Sequence, residues 1–233
     1  MEQAVTTIRR RPFIAGAAEA TGTTVVIDVF RAFSTVAFAL AGGVERLVLA
    51  AELEEARLLA ERLGTVVLMG EDQGVRPEDF RLGNSPAEVL GAELGGTTVV
   101  HRSSAGTRVV RQALQSGASP VLAASFVVAR ATASVVAQEE EITLVPSGYL
   151  GTGAAEEDEA CADYLEGLVL GREVEQHPLE VAFSGSGGRR LRHPSATWAH
   201  PADLGLCLAV DLFDFAMQVE EEDGLVLLRP LSP

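Results

Sequence analysis

The sequence predicts an α/β fold: a three-layer α/β/α sandwich with a mixed, mostly parallel sheet and a C-terminal antiparallel hairpin. Short β-branched runs alternate along the chain with stretches of helical periodicity, which is the pattern of strands joined through helices. The strand-like runs are apolar along their whole length, and this indicates a sheet that is buried on both faces. Near the C terminus, Asp223-Gly224 separates two apolar runs and is typical of a hairpin turn.

The elements follow one another regularly over the first 172 residues. Six runs have the composition of buried strands: Thr24–Ile27, Arg46–Ala50, Thr65–Met69, Thr97–His101, Pro120–Ala124 and Glu141–Val145. Five stretches have apolar residues at helical spacing: Phe33–Ala41, Leu53–Leu63, Ala105–Gln115, Val127–Ala137 and Glu157–Leu170.

The last third of the chain has a different composition. Ser184–Arg192 is rich in glycine and is predicted as a loop, and Leu206–Val219 and Leu225–Arg229 flank the hairpin turn. No stretch has the length and composition of a linker between domains. We therefore expect a single domain over residues 1–233, and two lobes at about 1–172 and 173–233 are the alternative division.

The charge of the chain excludes several classes of function. Its 233 residues carry a net charge of −15, and all 18 basic residues are Arg. Without Lys there is neither a Walker A phosphate loop nor a Schiff-base lysine. The acidic surface argues against partners such as nucleic acid or an anionic membrane, and Arg9–Arg11 is predicted as a solvated turn. The two cysteines form no disulfide framework, and a cytoplasmic location is expected.

Ligands of α/β sheets bind outside the carboxyl ends of the strands, so polar residues that directly follow a strand are the first candidates. Asp28 ends one apolar run, and Arg31 follows at a helix start. An ion pair between these two, or a helix cap, is the alternative interpretation. Glu71 follows another run, and the loop after it reaches Asn84 and Ser85, where Ser85 is also a good helix cap.

Two further strand ends carry polar groups. Small hydroxyls and an open backbone at the start of the third helical stretch can hold an anion without lysine. The residues concerned are Arg102, Ser103, Ser104, Gly106 and Thr107. Ordinary capping explains one of these hydroxyls but not their density. Glu157 and Asp158, after the glycines of 148–153, form either a hard-metal site or a first helical turn that suits the helix dipole.

Spacing excludes the common phosphatase motifs. Neither Cys161 nor Cys207 has the Arg six residues later that a cysteine phosphatase needs, and Asp28 does not begin an Asp-x-Asp motif. A GxSxG nucleophile elbow is absent as well. The remaining chemistry uses carboxylates to hold Mg²⁺, with Arg and backbone amides holding an anion.

Five motifs, in this order, resemble the 2-phosphosulfolactate phosphatase family: VVIDVFRAFST, GED…FRLGNSPAE, HRSSAGT, ASFVVARA and SGYLG…EEDEACADYL. A weaker match follows in HPADLGLCLAVDLFDF. The resemblance implies a Mg²⁺-dependent phosphatase with a three-layer α/β/α fold. In the family's pathway such an enzyme removes phosphate from a sulfonated three-carbon hydroxy acid during the formation of coenzyme M.

The resemblance also implies which residues form the site. The positions that match the family's motifs are Asp28, Arg31, Glu71, Gly83–Pro86, Gly106, Thr107, Ser125, Phe126, Glu157 and Asp158. Three positions depart from the family: Ala105 and Val128 replace Asn, and Ser147 falls where Cys-Ala-Gly is common. The phosphate-handling core is thus retained, while groups that contact the organic part of the substrate are altered.

We therefore expect metal-assisted hydrolysis of a phosphomonoester. Asp28, Glu71, and Glu157 or Asp158 would bind Mg²⁺. Phosphate or sulfonate would be held by Arg31, Asn84, Ser85, Arg102, Ser103, Ser104, Gly106, Thr107 and Ser125. Asp28 and Arg31 are the catalytic candidates, and direct attack by water and a phosphorylated Asp28 both stay open. The alternatives are a phosphatase of another small phosphorylated acid, and a non-catalytic binder of a phosphorylated metabolite or nucleotide; whether the chain forms a homodimer is also open.

Overall fold

A nine-stranded mixed sheet forms the centre of the computed structural model, which describes residues 6–173 and 177–233. The strands are β1 Thr7–Arg10, β2 Thr23–Ile27, β3 Arg46–Ala50, β4 Val67–Gly70, β5 Thr98–Arg102, β6 Val121–Ala124, β7 Glu141–Pro146, β8 Ala216–Glu222 and β9 Leu225–Leu231. All five residues of β2 are buried, as expected for a strand covered on both faces.

Helices account for most of the remaining chain. They are α1 Phe13–Ala17, α2 Ala32–Ala41, α3 Leu53–Leu63, α4 Pro86–Leu90, α5 Gly106–Gln115, α6 Ala129–Val136, α7 Glu156–Val169, α8 His177–Ser184, α9 Ser186–Leu191 and α10 Asp203–Cys207. A 3₁₀ turn at Phe126–Val128 precedes α6. The predicted fold class is confirmed. Within the described residues, no helix is long and apolar enough to cross a membrane.

The C-terminal hairpin lies in the middle of the sheet. The strand order is β1-β7-β2-β6-β8-β9-β3-β5-β4, and pairing is parallel on either side of the hairpin. The three pairings β6–β8, β8–β9 and β9–β3 are antiparallel. The strands β3, β5 and β4 therefore run opposite to β1, β7, β2 and β6. The hairpin joins both halves into one sheet, and the number of domains stays a prediction.

The two parallel halves nevertheless meet at their carboxyl ends. In a flat sheet, opposite strand directions would place those ends on opposite edges. Here the Gly106 N–H, just after β5, donates to Asp28 Oδ2, just after β2, over 3.0 Å. Sheet twist of roughly 20–25° per strand accumulates to about 100° or more across the five steps from β2 to β5, and this coiling brings the two ends together.

Three predictions about local structure were wrong. Ser184–Arg192 is not a loop, because α8 ends at Ser184 and Ser186–Leu191 is helical. Its glycines allow close packing: a Cβ on Gly188 would lie 2.3 Å from the Phe183 carbonyl oxygen. Arg9–Arg11 is not a solvated turn, since Arg9 and Arg10 belong to β1, where Arg10 pairs with carboxylates of α7. Of the predicted run Leu206–Val219, only the end from Ala216 is strand.

Candidate active site

Four carboxylates and two arginines line one cavity at the joined strand ends. Its water-accessible volume is about 70 Å³. The polar side chains that line it are Asp28, Arg31, Glu71, Asn84, Ser104, Glu157, Asp158 and Arg190. The structure thus brings together residues from the loops after β2, β4, β5 and β7, which are far apart in sequence.

Asp28 is fixed by backbone amides from both halves of the sheet. Its Oδ1 accepts from the Ala32 N–H at 3.2 Å, at the start of α2, and its Oδ2 accepts from Gly106. Burial raises the pKa of Asp28 to about 7, and the negative charges of Glu71 and Glu157 add to this, against the two amide hydrogen bonds. A carboxyl group with this pKa can hold or release a proton near neutral pH.

Glu71 is held by the loop that follows β5. One carboxylate oxygen accepts from the Ser104 N–H, and the other accepts from the Ser104 hydroxyl at 2.9 Å and from the Gly74 N–H. The residue before Glu71 is Gly70, the last residue of β4, where this strand comes very close to the backbone of its neighbour β5. Gly70 has a φ of +138°, which favours glycine. A Cβ there would lie 1.9 Å from the Arg102 carbonyl oxygen. Glu71 therefore has one orientation, toward the cavity.

The first turn of α7 supplies the other two carboxylates. Asp158 accepts from the Val29 N–H at 2.8 Å and the Gly148 N–H at 2.9 Å. Burial raises its pKa well above the usual range, and Asp28 and Glu157 raise it further. Burial also raises the pKa of Glu157, whose Oε2 is buried and has no hydrogen-bond partner in the described part of the chain. Asp158 therefore holds two backbone amides outside its own helix, in addition to the favourable interaction of both carboxylates with the helix dipole.

The carboxylate of Asp203, which was not among the predicted site residues, orients Arg31. Its Nη1 lies 2.7 Å from Asp203 Oδ2, and its guanidinium lies 5.0 Å from the centroid of the Trp198 ring. Asp203 is fully buried, and its Oδ1 accepts from the Ser85 hydroxyl at 2.6 Å and the Ala87 N–H at 3.2 Å. The expected alternative of an ion pair between Asp28 and Arg31 is thus replaced by Arg31–Asp203. Two signals in the sequence point to Asp203: its place in the weaker match HPADLGLCLAVDLFDF, and a carboxylate at the start of an apolar stretch.

Asn84 lines the cavity, and the oxygen of its side-chain amide faces His101. The distance from Asn84 Oδ1 to His101 Nε2 is 3.1 Å. Burial lowers the pKa of His101 to about 3, with the nearby Arg102 charge adding to the effect, so the imidazole is neutral and donates through Nε2. Because the amide oxygen is engaged, the Asn84 NH₂ group is the end that remains for a ligand.

Several predicted anion ligands are occupied elsewhere. The Arg102 guanidinium donates to the Glu71 carbonyl oxygen at 2.6 Å and to Asp72 at 2.8 Å, outside the cavity lining. Ser103 and Thr107 cap the start of α5 for each other, with two N–H to hydroxyl distances of 3.1 Å. These contacts match the capping alternative, and a ligand role for the three residues stays a prediction.

Two predicted serines, Ser85 and Ser125, are not among the residues that line the cavity. The Ser85 hydroxyl donates to Asp203 and accepts from the Glu88 N–H, so it is the N-cap of α4. Ser125, at the end of β6, is fully buried, and its hydroxyl has no partner in the ranges that the structure describes. Ser85 therefore acts on the site through Asp203, and a ligand role for Ser125 stays a prediction.

The donor set fits a hard cation such as Mg²⁺. Within residues 6–173 and 177–233, no three acidic, His or Cys side chains converge as a preformed cage. Mg²⁺ does not need one, because it keeps several waters and binds through one or two carboxylates. The buried, unpartnered Oε2 of Glu157 and the crowding of four carboxylates, which raises the pKa of Asp28, Glu157 and Asp158, are what such an ion would compensate.

A comparison with known families gives a match over most of the chain. The family model described as 2-phosphosulpholactate phosphatase matches residues 13–222. Relatives that carry the name "Probable 2-phosphosulfolactate phosphatase" occur in several organisms. The protein of Carboxydothermus hydrogenoformans is 35% identical over 68% of this chain and 63% of its own length. The protein of Thermoplasma acidophilum is 30% identical over 89% of this chain and 90% of its own length. The protein of Synechococcus sp. is 30% identical over 86% of this chain and 87% of its own length.

Proposed function

Since the chain belongs to the 2-phosphosulfolactate phosphatase family, we propose that it is a phosphoric monoester hydrolase acting on 2-phosphosulfolactate and that it requires Mg²⁺. The observation that carries the proposal is the crowding of four carboxylates in one buried cavity beside Arg31 and the Asn84 amide. Such an arrangement costs free energy unless a cation and an anionic ligand occupy it. A phosphate ester bound with a divalent cation satisfies both requirements.

The residues of the chain divide the work of hydrolysis between them. Arg31 and the Asn84 NH₂ group bind and orient the phosphoryl oxygens, while Ser104 holds Glu71. Glu71, Glu157 and Asp158, together with Asp28, would hold Mg²⁺, which supplies positive charge against the phosphoryl oxygens when bound. The net charge of −15 would otherwise repel the substrate.

Asp28 is the residue that we place at the reacting phosphorus. The reaction breaks the P–O ester bond, transfers the phosphoryl group to water and returns a proton to the leaving oxygen. With Mg²⁺ bound, Asp28 would be ionised, and its carboxylate can accept the proton that the attacking water loses in this step. Attack by water and attack by Asp28 itself, followed by hydrolysis of the acyl phosphate, give the same products.

A panel of phosphate esters tests the proposal. Phosphate release would be measured from 2-phosphosulfolactate, 2-phospholactate and p-nitrophenyl phosphate, with Mg²⁺ and with a chelator. We expect release that is lost with the chelator and restored by Mg²⁺. Turnover that the chelator does not change would contradict the metal requirement. If no ester is hydrolysed while one of them binds tightly, the chain is the non-catalytic binder. Hydrolysis of 2-phospholactate without hydrolysis of 2-phosphosulfolactate would indicate a different small phosphorylated acid as the substrate.

Glu157 offers a matched test of the metal site. We expect Mg²⁺ to raise the melting temperature of the wild type, and Glu157→Gln to reduce this increase. Glu156→Gln is the control, because Glu156 is exposed and bonds to Ser186. An equal effect of both substitutions would contradict the assignment. The cytoplasmic location remains a prediction from the composition of the chain, and a role in coenzyme M formation remains a prediction from the resemblance.

A further inference from the structure

The short helix α9 places positive charge at the mouth of the cavity. Arg189, Arg190, Arg192 and His193 lie within five positions of a strongly acidic chain. Of these, Arg190 lines the inner cavity, and it is the second arginine there besides Arg31. Arg31 is paired with Asp203, whereas the guanidinium of Arg190 makes neither an ion pair nor a hydrogen bond within the described ranges. Arg190 is therefore a cation in the site whose donors are not engaged.

Arg190 is held in place by the packing of its helix and by an aromatic ring. Its guanidinium lies 4.6 Å from the centroid of the Tyr149 ring. Gly187, one helical turn earlier, contacts the carboxylate of Glu157 so closely that a Cβ would lie 2.3 Å from Oε1. Stacking on a ring leaves the N–H donors at the edge of the guanidinium plane free for a bidentate contact.

Arg190 also lies between the inner cavity and an outer recess. The recess has a volume of about 230 Å³, and Phe30, Gln73 and Trp198 contribute to its walls. Asn84, which we assign to the phosphoryl group, lines the inner cavity only. At about 70 Å³, the inner cavity is the smaller of the two spaces, and we place the phosphoryl group there, beside the carboxylates. The rest of a sulfonated hydroxy acid must extend into the recess, past Arg190.

We infer that Arg190 is a specificity-determining residue that binds the anionic group of the substrate that is not transferred. The inference rests on the proposed function for the phosphoryl end. The group is a sulfonate or a carboxylate, since both offer oxygens to the guanidinium edge. A hydrogen bond to a charged group contributes about 1.5–3 kcal/mol, which converts to about 10- to 100-fold in binding.

Kinetics of Arg190→Gln on three esters tests this role. We expect kcat/KM to fall about 10- to 100-fold for 2-phosphosulfolactate, mainly through KM. For p-nitrophenyl phosphate, which has no second anion, kcat/KM should stay within about threefold of the wild type. The loss of kcat/KM for 2-phospholactate, which carries a carboxylate but no sulfonate, shows which group Arg190 binds. A loss as large as that for 2-phosphosulfolactate identifies the carboxylate as the bound group. A much smaller loss identifies the sulfonate. An equal loss on all three esters would overturn the inference.

Arg189→Gln is the matched control, since it removes the same charge from the adjacent position. Arg189 lines neither the inner cavity nor the outer recess and donates to the Ser184 carbonyl oxygen, so kcat/KM should stay near the wild-type value on every ester. A loss equal to that of Arg190→Gln would show a general effect of charge. Arg190 is exposed, and an unchanged melting temperature would show that the variant is folded.

Direct binding keeps the inference separate from the proposed function. If the wild type released no phosphate from any ester, the proposed function would fail. Calorimetric titration with 3-sulfolactate, which carries no phosphate, would then decide the role of Arg190. Binding that weakens at least 10-fold in Arg190→Gln supports the inference, and equal binding, or no binding by either protein, overturns it.

Discussion

Removal of the Asp203 carboxylate should destabilise the protein strongly, although Asp203 lies outside the five main motifs and only in the weaker C-terminal match. The side chain is fully buried and accepts four hydrogen bonds. The donors are Arg31 Nη1 at 2.7 Å, the Ser85 hydroxyl at 2.6 Å, and the N–H groups of Ala87 at 3.2 Å and His200 at 3.1 Å. Asp203→Ala would leave a buried cation unpaired and three donors without an acceptor.

The expected loss follows from these contacts. Breaking a buried ion pair by removing one partner costs about 3–5 kcal/mol, and each buried donor left unsatisfied costs about 1–3 kcal/mol. Because these contributions overlap, we expect at least about 4 kcal/mol for Asp203→Ala. Asp203→Asn keeps one acceptor oxygen and the side-chain volume, and should lose about half as much. Either value is a large part of the 5–15 kcal/mol that stabilises a typical domain.

A double-mutant cycle between Asp203→Asn and Arg31→Met isolates the pair. The free energy of unfolding from urea denaturation should show a coupling of about 2 kcal/mol or more. The matched control is the cycle for Arg57 and Asp79, an exposed pair with a closest distance of 2.9 Å, whose coupling should be much smaller because solvent screens it. Additive losses at Arg31 and Asp203, within about 0.5 kcal/mol, would refute the reasoning.

Two further predictions concern packing and pH. Gly188→Ala should destabilise the protein by about 1–3 kcal/mol and lower activity, because the new methyl group collides with the carbonyl oxygens of Phe183 and Ala182 and displaces α9. The control Gly205→Ala meets nothing within 4 Å and should be neutral or slightly stabilising, so equal melting temperatures for the two variants would contradict the packing argument. Because the pKa of His101 is lowered in the folded state, the imidazole takes up its proton in the unfolded state first as the pH falls. The contribution of His101 to the free energy of unfolding is therefore complete above about pH 6.5. It is lost as the pH falls toward 3, by about 4–5 kcal/mol in total. Urea titrations should show a shallower loss of stability in this window for His101→Gln, and parallel curves for the two proteins would exclude the effect.

The sequence predicts the fold class and most of the cavity because both depend on local patterns. A polar residue after an apolar run marks the carboxyl end of a strand, and this pattern identifies Asp28, Glu71 and Asp158. The same pattern also selects Arg102, whose guanidinium is instead used to hold the loop at Glu71. Strand ends can be predicted from sequence, but the direction of each side chain depends on neighbours that the pattern does not contain.

Contacts between distant parts of the chain explain what the sequence does not predict. Asp203 pairs with Arg31 across 172 positions, so no local pattern indicates its role. Glycine disfavours helices, so Ser184–Arg192 resembles a loop in sequence, although Gly187 is needed where α9 packs on α7. The Asp223-Gly224 turn predicts a hairpin but not its position between β6 and β3.

Phosphate release by Asp28→Asn is the most direct test of the proposed active site. The substitution keeps the size of the side chain and removes the charge that lies between both halves of the sheet. In the presence of Mg²⁺, we predict that the variant hydrolyses 2-phosphosulfolactate at least about 100-fold more slowly than the wild type, at a temperature where a cooperative melting transition shows that it is folded. Retention of the wild-type rate by the folded variant would contradict the assignment of Asp28 and the account of the site built on it.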